Sequence, residues 1–142
     1  MREEVLRRYF LGRASAAELA DDLSGSSVER RDVTYHPIED MDDDFEVRPE
    51  HLARLCDAVL GGELEAGRLE AVGFCIVASD HFCYDAETPE ADLVGEVAAL
   101  WATPRANYPL TTENVRKFRE WLVTGSRPFG AGDASAETRR AT

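Results

Sequence analysis

Apolar side chains recur at intervals of three and four along most of the first 125 residues, the period of helices packed on one side. Val5, Leu6, Tyr9 and Phe10 make the first such stripe. Gly12 can close that helix, because glycine accepts the left-handed conformation of a helix end without steric cost. Ser15 stands where an N-cap belongs, and Glu18 three places on completes a capping box. Ala16, Leu19, Ala20 and Leu23 are then the core face of a second helix, which Ser24-Gly25-Ser26-Ser27 stops. The N-terminal segment therefore reads as a helical hairpin.

The helical period is lost over residues 28–38. Val33 and Tyr35 alternate with polar neighbours, which predicts a short extended segment ending near Pro37. Residues 39–46 read as a solvated loop with Met41 and Phe45 as its apolar members. Pro49 suits the first turn of the next helix, where Leu52, Leu55, Cys56, Val59 and Leu60 line one face before Gly61-Gly62. Another helix is expected from about Glu63 through Leu64, Leu69, Val72 and Ile76. Its second half, residues 71–78, is apolar all the way round, and periodicity alone does not separate a buried helix there from a short strand. The helix-forming composition of residues 63–70 decides for helix. Thr88-Pro89-Glu90 reads as N-cap, first-turn proline and acidic first turn, followed by Leu93, Val94, Val97, Leu100 and Trp101. Thr111 or Thr112 caps a last helix built on Val115, Phe118, Trp121 and Leu122, with Gly125 at its end. The expectation is a mainly α bundle of about six short helices in one domain, residues 1–125, with a mobile tail from 126 to 142. Phe10-Leu11-Gly12 followed by Ala16 and Leu19 is echoed by Val59-Leu60-Gly61 followed by Ala66 and Leu69. Two helical hairpins sharing one local grammar account for this, as would a duplication.

Charge sharpens this picture. The 142 residues carry 16 Lys+Arg against 28 Asp+Glu, a formal charge of −12. Residues 32–104 hold three basic and eighteen acidic side chains, more than the whole excess. One cluster is Glu39, Asp40, Asp42, Asp43, Asp44 and Glu46; a second is Asp80, Asp85, Glu87, Glu90, Asp92 and Glu96. Such charge repels nucleic-acid phosphates and attracts a basic protein surface, raising encounter rates at low salt. The plainer account is that acidic loops keep the chain in solution. No apolar run reaches the roughly 20 residues needed to span a bilayer, and no secretory leader is visible behind Met1-Arg2-Glu3-Glu4. Cys56, Cys75 and Cys83 are too few and scattered for a disulfide framework, which fits a reducing cytoplasm.

Candidate chemistry is sparse. Cys75, Asp80, His81, Cys83 and Asp85 are residue types that bind zinc, but their spacing lacks a second pair at ligand distance. Neighbouring acids would raise the Cys83 thiol pKa and work against nucleophilic use. The Gly61-Gly62 pair has no Lys-Ser/Thr after it, and residues 40–46 miss the EF-hand pattern. Tyr108 at the turn before the last helix reads as a pin for that connection. A metal- or thiol-dependent enzyme using residues 75–85 is one alternative function; a structural subunit, dimeric through Trp101 or Trp121, is another.

Residues 1–23, with Tyr9-Phe10-Leu11-Gly12-Arg13-Ala14-Ser15-Ala16-Ala17-Glu18-Leu19, resemble the opening hairpin of small bacterial immunity proteins of the colicin-like type. The resemblance implies a small acidic helical protein, not an enzyme and without cofactor or metal, that blocks a cognate nuclease toxin. It transfers no individual functional residue. From charge and pattern, Asp40, Asp42, Asp43, Asp44 and Glu46 are the expected steering charges for a basic partner, with Phe45 as apolar anchor. The expected partner is protein, neither nucleic acid nor membrane, and the chain itself a monomer or homodimer.

Overall fold

The computed structural model describes residues 1–24, 28–30, 33–35, 38–84 and 87–130. Six α-helices carry the described chain: α1 Glu3–Phe10, α2 Ala16–Ser24, α3 Pro49–Leu60, α4 Leu69–Ala78, α5 Pro89–Ala102 and α6 Thr112–Thr124. Four very short strands join them: β1 Val28–Arg30, β2 Val33–Tyr35, β3 Phe45–Glu46 and β4 Phe82–Cys83. β1 and β2 pair antiparallel, and β3 and β4 pair parallel with Phe45 opposite Phe82 and Glu46 opposite Cys83. The expected extended segment within 28–38 is thus a small hairpin.

Local signals set most helix ends. Ser15 and Glu18 form the capping box, the Glu18 N–H donating to Ser15 Oγ at 3.1 Å and the Ser15 N–H to Glu18 Oε1 at 3.5 Å. Thr88 and Thr111 cap α5 and α6 by accepting from the Ala91 and Asn114 N–H groups. Gly12, Gly62 and Gly125 lie at positive φ just past α1, α3 and α6. After α1 the Arg13 and Ala14 N–H groups donate to the Arg8 carbonyl; after α3 those of Glu63 and Leu64 donate to Ala58. The echo in the sequence is therefore a repeated helix stop whose register pairs Gly12 with Gly62, not with Gly61.

That same stop corrects the expected start of α4. Residues 61–65 are committed to closing α3, a 3-10 turn follows at Ala66–Arg68, and α4 begins only at Leu69. Residues 71–78 are helical, as composition predicted. They are not covered on every side, since Phe74 is 38% and Val77 46% exposed.

The core is built from α4 packed on α5 and α3 packed on α6, with α1 and α2 closing one end. Trp101, Phe118, Leu52, Leu55, Leu69 and Ile76 are fully buried there. Gly73 lets α4 approach α5: a Cβ at this position would stand 2.6 Å from the Ala98 carbonyl oxygen and 2.7 Å from Trp101 Cβ. Trp101 is fully buried within the bundle and Trp121 nearly so.

Beyond residue 125 the described chain continues to make contacts. Phe129 packs on the core, its ring stacked 4.3 Å from Tyr108 and 4.7 Å from Phe118. Arg127 donates to Tyr108 Oη at 2.8 Å and to Glu96 at 3.2 Å, and lies over the Trp121 ring. Aromatic and cationic contacts thus hold residues 126–130 to α6, and only 131–142 of the expected tail lie outside the described residues.

Candidate partner-binding face

The acidic loop, described from residue 38 to the start of α3, has a fixed path. At its start the Glu3 N–H donates to the Glu39 carbonyl at 3.0 Å, and the Glu39 N–H to the Met1 carbonyl at 2.8 Å. Met41 is buried, and its N–H donates to Glu3 Oε1 at 3.1 Å. At its far end the Phe45 N–H donates to the His81 carbonyl and the Val47 N–H to that of Cys83, the two bonds of the β3–β4 pairing. Between these two attachments the side chains of Asp42, Asp43 and Asp44 face solvent, as do those of Asp40 and Glu46 on either side.

Among the described residues few basic groups offset these carboxylates. Asp44 meets His81 Nδ1 at 3.0 Å, and Glu46 meets Arg48 at 3.4 Å. Asp40, Asp42 and Asp43 form no ion pair with a described residue. Arg119 on α6 pairs with Asp57 on α3.

Phe45 does not stand out as an apolar anchor. Its ring is turned inward, stacked on Phe10 at 5.8 Å and touching His51 and Phe82, so it fastens the loop rather than offering itself to a partner. The five carboxylates of the loop are exposed, and Phe45 between them is partly buried.

The β3–β4 pairing sets Phe82 and Cys83 beside Phe45 and Glu46, and Glu90 of the second acidic cluster shares a groove with Glu46 of the first. A groove of about 480 Å³ is lined by Glu46, Arg48, Glu50, Tyr84 and Glu90 among others. A second, of about 450 Å³, shares Pro49 and Glu90 with it and continues to Asp92, Glu96 and Trp121. Asp80, Glu87, Glu90, Asp92 and Glu96 are all exposed, and Arg127 pairs with Glu96; Asp85 lies outside the described residues.

The residues considered for metal or thiol chemistry go to different places. Cys75 and Cys56 are wholly buried in helices, and burial pushes both thiols up to about 12, with Glu3 and Asp57 respectively adding to the effect. Cys83 is half-buried beside the first groove, and its Sγ–H donates to the His81 carbonyl at 3.4 Å. Among the described residues no group of three or more His, Cys, Asp and Glu side chains is placed to hold a metal ion. No helix of the described chain is long and apolar enough to cross a membrane.

His81 and His51 are perturbed in opposite senses. The Asp44 hydrogen bond raises the His81 pKa, because it favours imidazolium. Burial lowers that of His51, which sits between Phe10 and Phe45 and accepts the Arg48 N–H at Nδ1, 2.9 Å away. An NMR titration is expected to place the His81 midpoint above the ordinary 6.5 and that of His51 below it, with Asp44→Asn returning His81 toward 6.5. The stabilisation from His81 is full below 6.5 and is lost as pH rises through its raised midpoint. That from His51 is full above 6.5 and is lost as pH falls through its lowered one. Coincident midpoints would contradict both assignments.

Three contributors were not read from sequence. Glu3 is read from sequence only as part of the charged N-terminus, although it shares a face with Leu6 and Phe10 at i, i+3 and i+7, the signal that marks it as inward. The His81–Asp44 contact spans 37 positions and has no local signal. Asn114, buried on α6, donates to the Pro109 carbonyl at 2.8 Å and holds the turn that Tyr108 was expected to pin. In comparisons with family models, with curated proteins and with solved structures, nothing matches the chain.

Proposed function

We propose that this is a non-enzymatic binding protein whose acidic face captures a basic protein partner, in its specific form an immunity-like inhibitor of a nuclease toxin. The observation that carries the reading is the exposed run Asp40, Asp42, Asp43, Asp44 and Glu46 on a loop attached at both ends, with Asp40, Asp42 and Asp43 unpaired among the described residues. Carboxylates presented in a fixed array can occupy a positive groove built for phosphates, and a preformed array loses less conformational freedom on binding. The exposed acids of α5 extend the same charge beyond the loop.

Two features favour recognition over catalysis. The buried thiols are held far from a reactive pKa, and the grooves are open, each with three carboxylates in its lining. The hairpin motif in residues 9–19 adds the resemblance to immunity proteins and nothing about individual contacts.

The test is charge reversal at the loop. Asp42→Lys with Asp44→Lys is expected to slow association with a basic partner about tenfold or more at low salt, and to leave the urea midpoint nearly unchanged because both side chains are exposed. A pull-down at low salt and at about 0.5 M supplies the partner and the first check, since steering by exposed charge is screened at the higher value. Binding that is indifferent both to the substitutions and to salt overturns the reading. A captured nuclease whose cleavage activity is unaffected by the protein removes the inhibitor version.

A further inference from the structure

Glu3 is completely buried, yet it opens α1 and lies within the main-chain connection between that helix and the start of the acidic loop. Its Oε1 takes the Met41 N–H at 3.1 Å, and its Oε2 is buried with no hydrogen-bond partner among the described residues. A glutamate placed only to favour a helix N-terminus needs no burial: Glu4, next to it in the same first turn, is exposed and pairs with Arg7. Burying a carboxyl group with one oxygen unsatisfied costs stability, so its retention calls for a compensating role.

We infer that Glu3 is the positioning residue of the acidic loop, holding Met41 inward so that Asp42, Asp43 and Asp44 face out as a preformed surface for a basic partner. Met41 is the loop's only buried residue before Val47, and its backbone N–H would otherwise be cut off from water. The main-chain bonds of Glu3 and Glu39 fix where the loop leaves α1; the Glu3 side chain fixes which way it turns next. Removing that acceptor leaves every exposed carboxylate in the sequence but frees the backbone that presents them. Steering charge and surface order are therefore separable: the first governs association, the second the lifetime of the complex. The role in binding rests on the proposed function; the role in ordering the loop does not.

Two substitutions isolate the acceptor. Glu3→Gln and Glu3→Leu remove the same charge and nearly preserve volume, but only glutamine keeps an oxygen for the Met41 N–H. Hydrogen exchange is measured amide by amide, and binding is measured by surface plasmon resonance with a nona-arginine peptide as the basic probe. The Met41 amide of the parent is expected to be protected although its loop lies at the surface. In Glu3→Gln that protection persists; in Glu3→Leu exchange at Met41 rises about tenfold or more relative to amides of α3 and α5. The peptide is expected to dissociate from Glu3→Leu at least about fivefold faster than from Glu3→Gln, with association rates alike.

Exchange of the Met41 amide at its unprotected rate in the parent overturns the inference, and does so even if Glu3→Leu fails to fold. So does equal loosening of the loop in the two variants, or equal dissociation from both while the parent binds. Failure of the parent itself to bind the peptide is the distinct signature of a wrong proposed function.

Discussion

Gly73→Ala is expected to destabilise the fold by about 3 kcal/mol, lowering the melting temperature by roughly 10 °C for a chain of this size. Ordinarily an alanine inside a helix is worth about 1 kcal/mol more than glycine, so the expected sign runs against intrinsic preference. The reason is the distance between α4 and α5. The added methyl carbon would stand 2.6 Å from the Ala98 carbonyl oxygen, 2.7 Å from Trp101 Cβ and 2.8 Å from the Ala102 nitrogen. Two of these atoms are backbone and the third is rigidly tied to it, so no side-chain rotation relieves the clash. α5 must move as a body, drawing the fully buried Trp101 out of its seat. Gly67→Ala is the matched control, because a Cβ there meets nothing within 4 Å. Its expected change is within about 0.5 kcal/mol. Thermal and urea unfolding of both variants make the comparison, and equal stabilities would mean that α4 and α5 do not pack at this spacing.

Gly73 also illustrates what a sequence conceals. The apolar surroundings of residues 71–78 announce burial, but nothing local says that one position must lack a side chain because another helix passes there. Helix identity and capping were readable for the opposite reason. Ser15 with Glu18, Thr88 with Pro89, and Gly12 and Gly125 act within a single turn, and the structure uses each as its neighbours predict. The late start of α4 shows the limit even of local signals. Residues 63–68 have helical composition, yet the Glu63 and Leu64 N–H groups are already spent on the Ala58 carbonyl in closing α3.

The acidic face divides along the same line. Its charge was legible because clustering in sequence survives in any fold that leaves a loop exposed. Its order was not. Met41 could be read as apolar and Glu3 as acidic, but the bond between them spans 38 positions. The ring contacts of Phe45 were not legible because an aromatic ring within a polar run looks like a feature offered outward. Its ring instead fills space beside Phe10, His51 and Phe82, which only the meeting of α1, α3 and β4 creates. Residues whose role depends on one helix are thus recovered from the chain, and residues whose role depends on two are not.

The C-terminal segment is the sharpest such case, and Phe118→Ala measures it. Phe118 is fully buried, with Trp101 edge-on at 6.0 Å, Tyr108 at 6.4 Å and Phe129 at 4.7 Å. Truncating it removes the ring that joins α5, α6 and residues 126–130, with an expected loss of about 4 kcal/mol. Phe129→Ala removes a partly buried ring from the same cluster and is expected to cost about 1 kcal/mol. Because the two rings touch, the double variant should be less destabilised than the sum of the singles by about 1 kcal/mol, the scale of a direct aromatic contact. A mobile segment beginning at residue 126 would give a different result: Phe129→Ala would be neutral and the coupling zero. Urea unfolding of the four proteins decides between them. Arg127 adds an independent reading, since its bonds to Glu96 and Tyr108 come from the same docked segment. Docking there would also hold Arg127 beside Glu96, so that α5 presents its other exposed acids with one carboxylate already compensated.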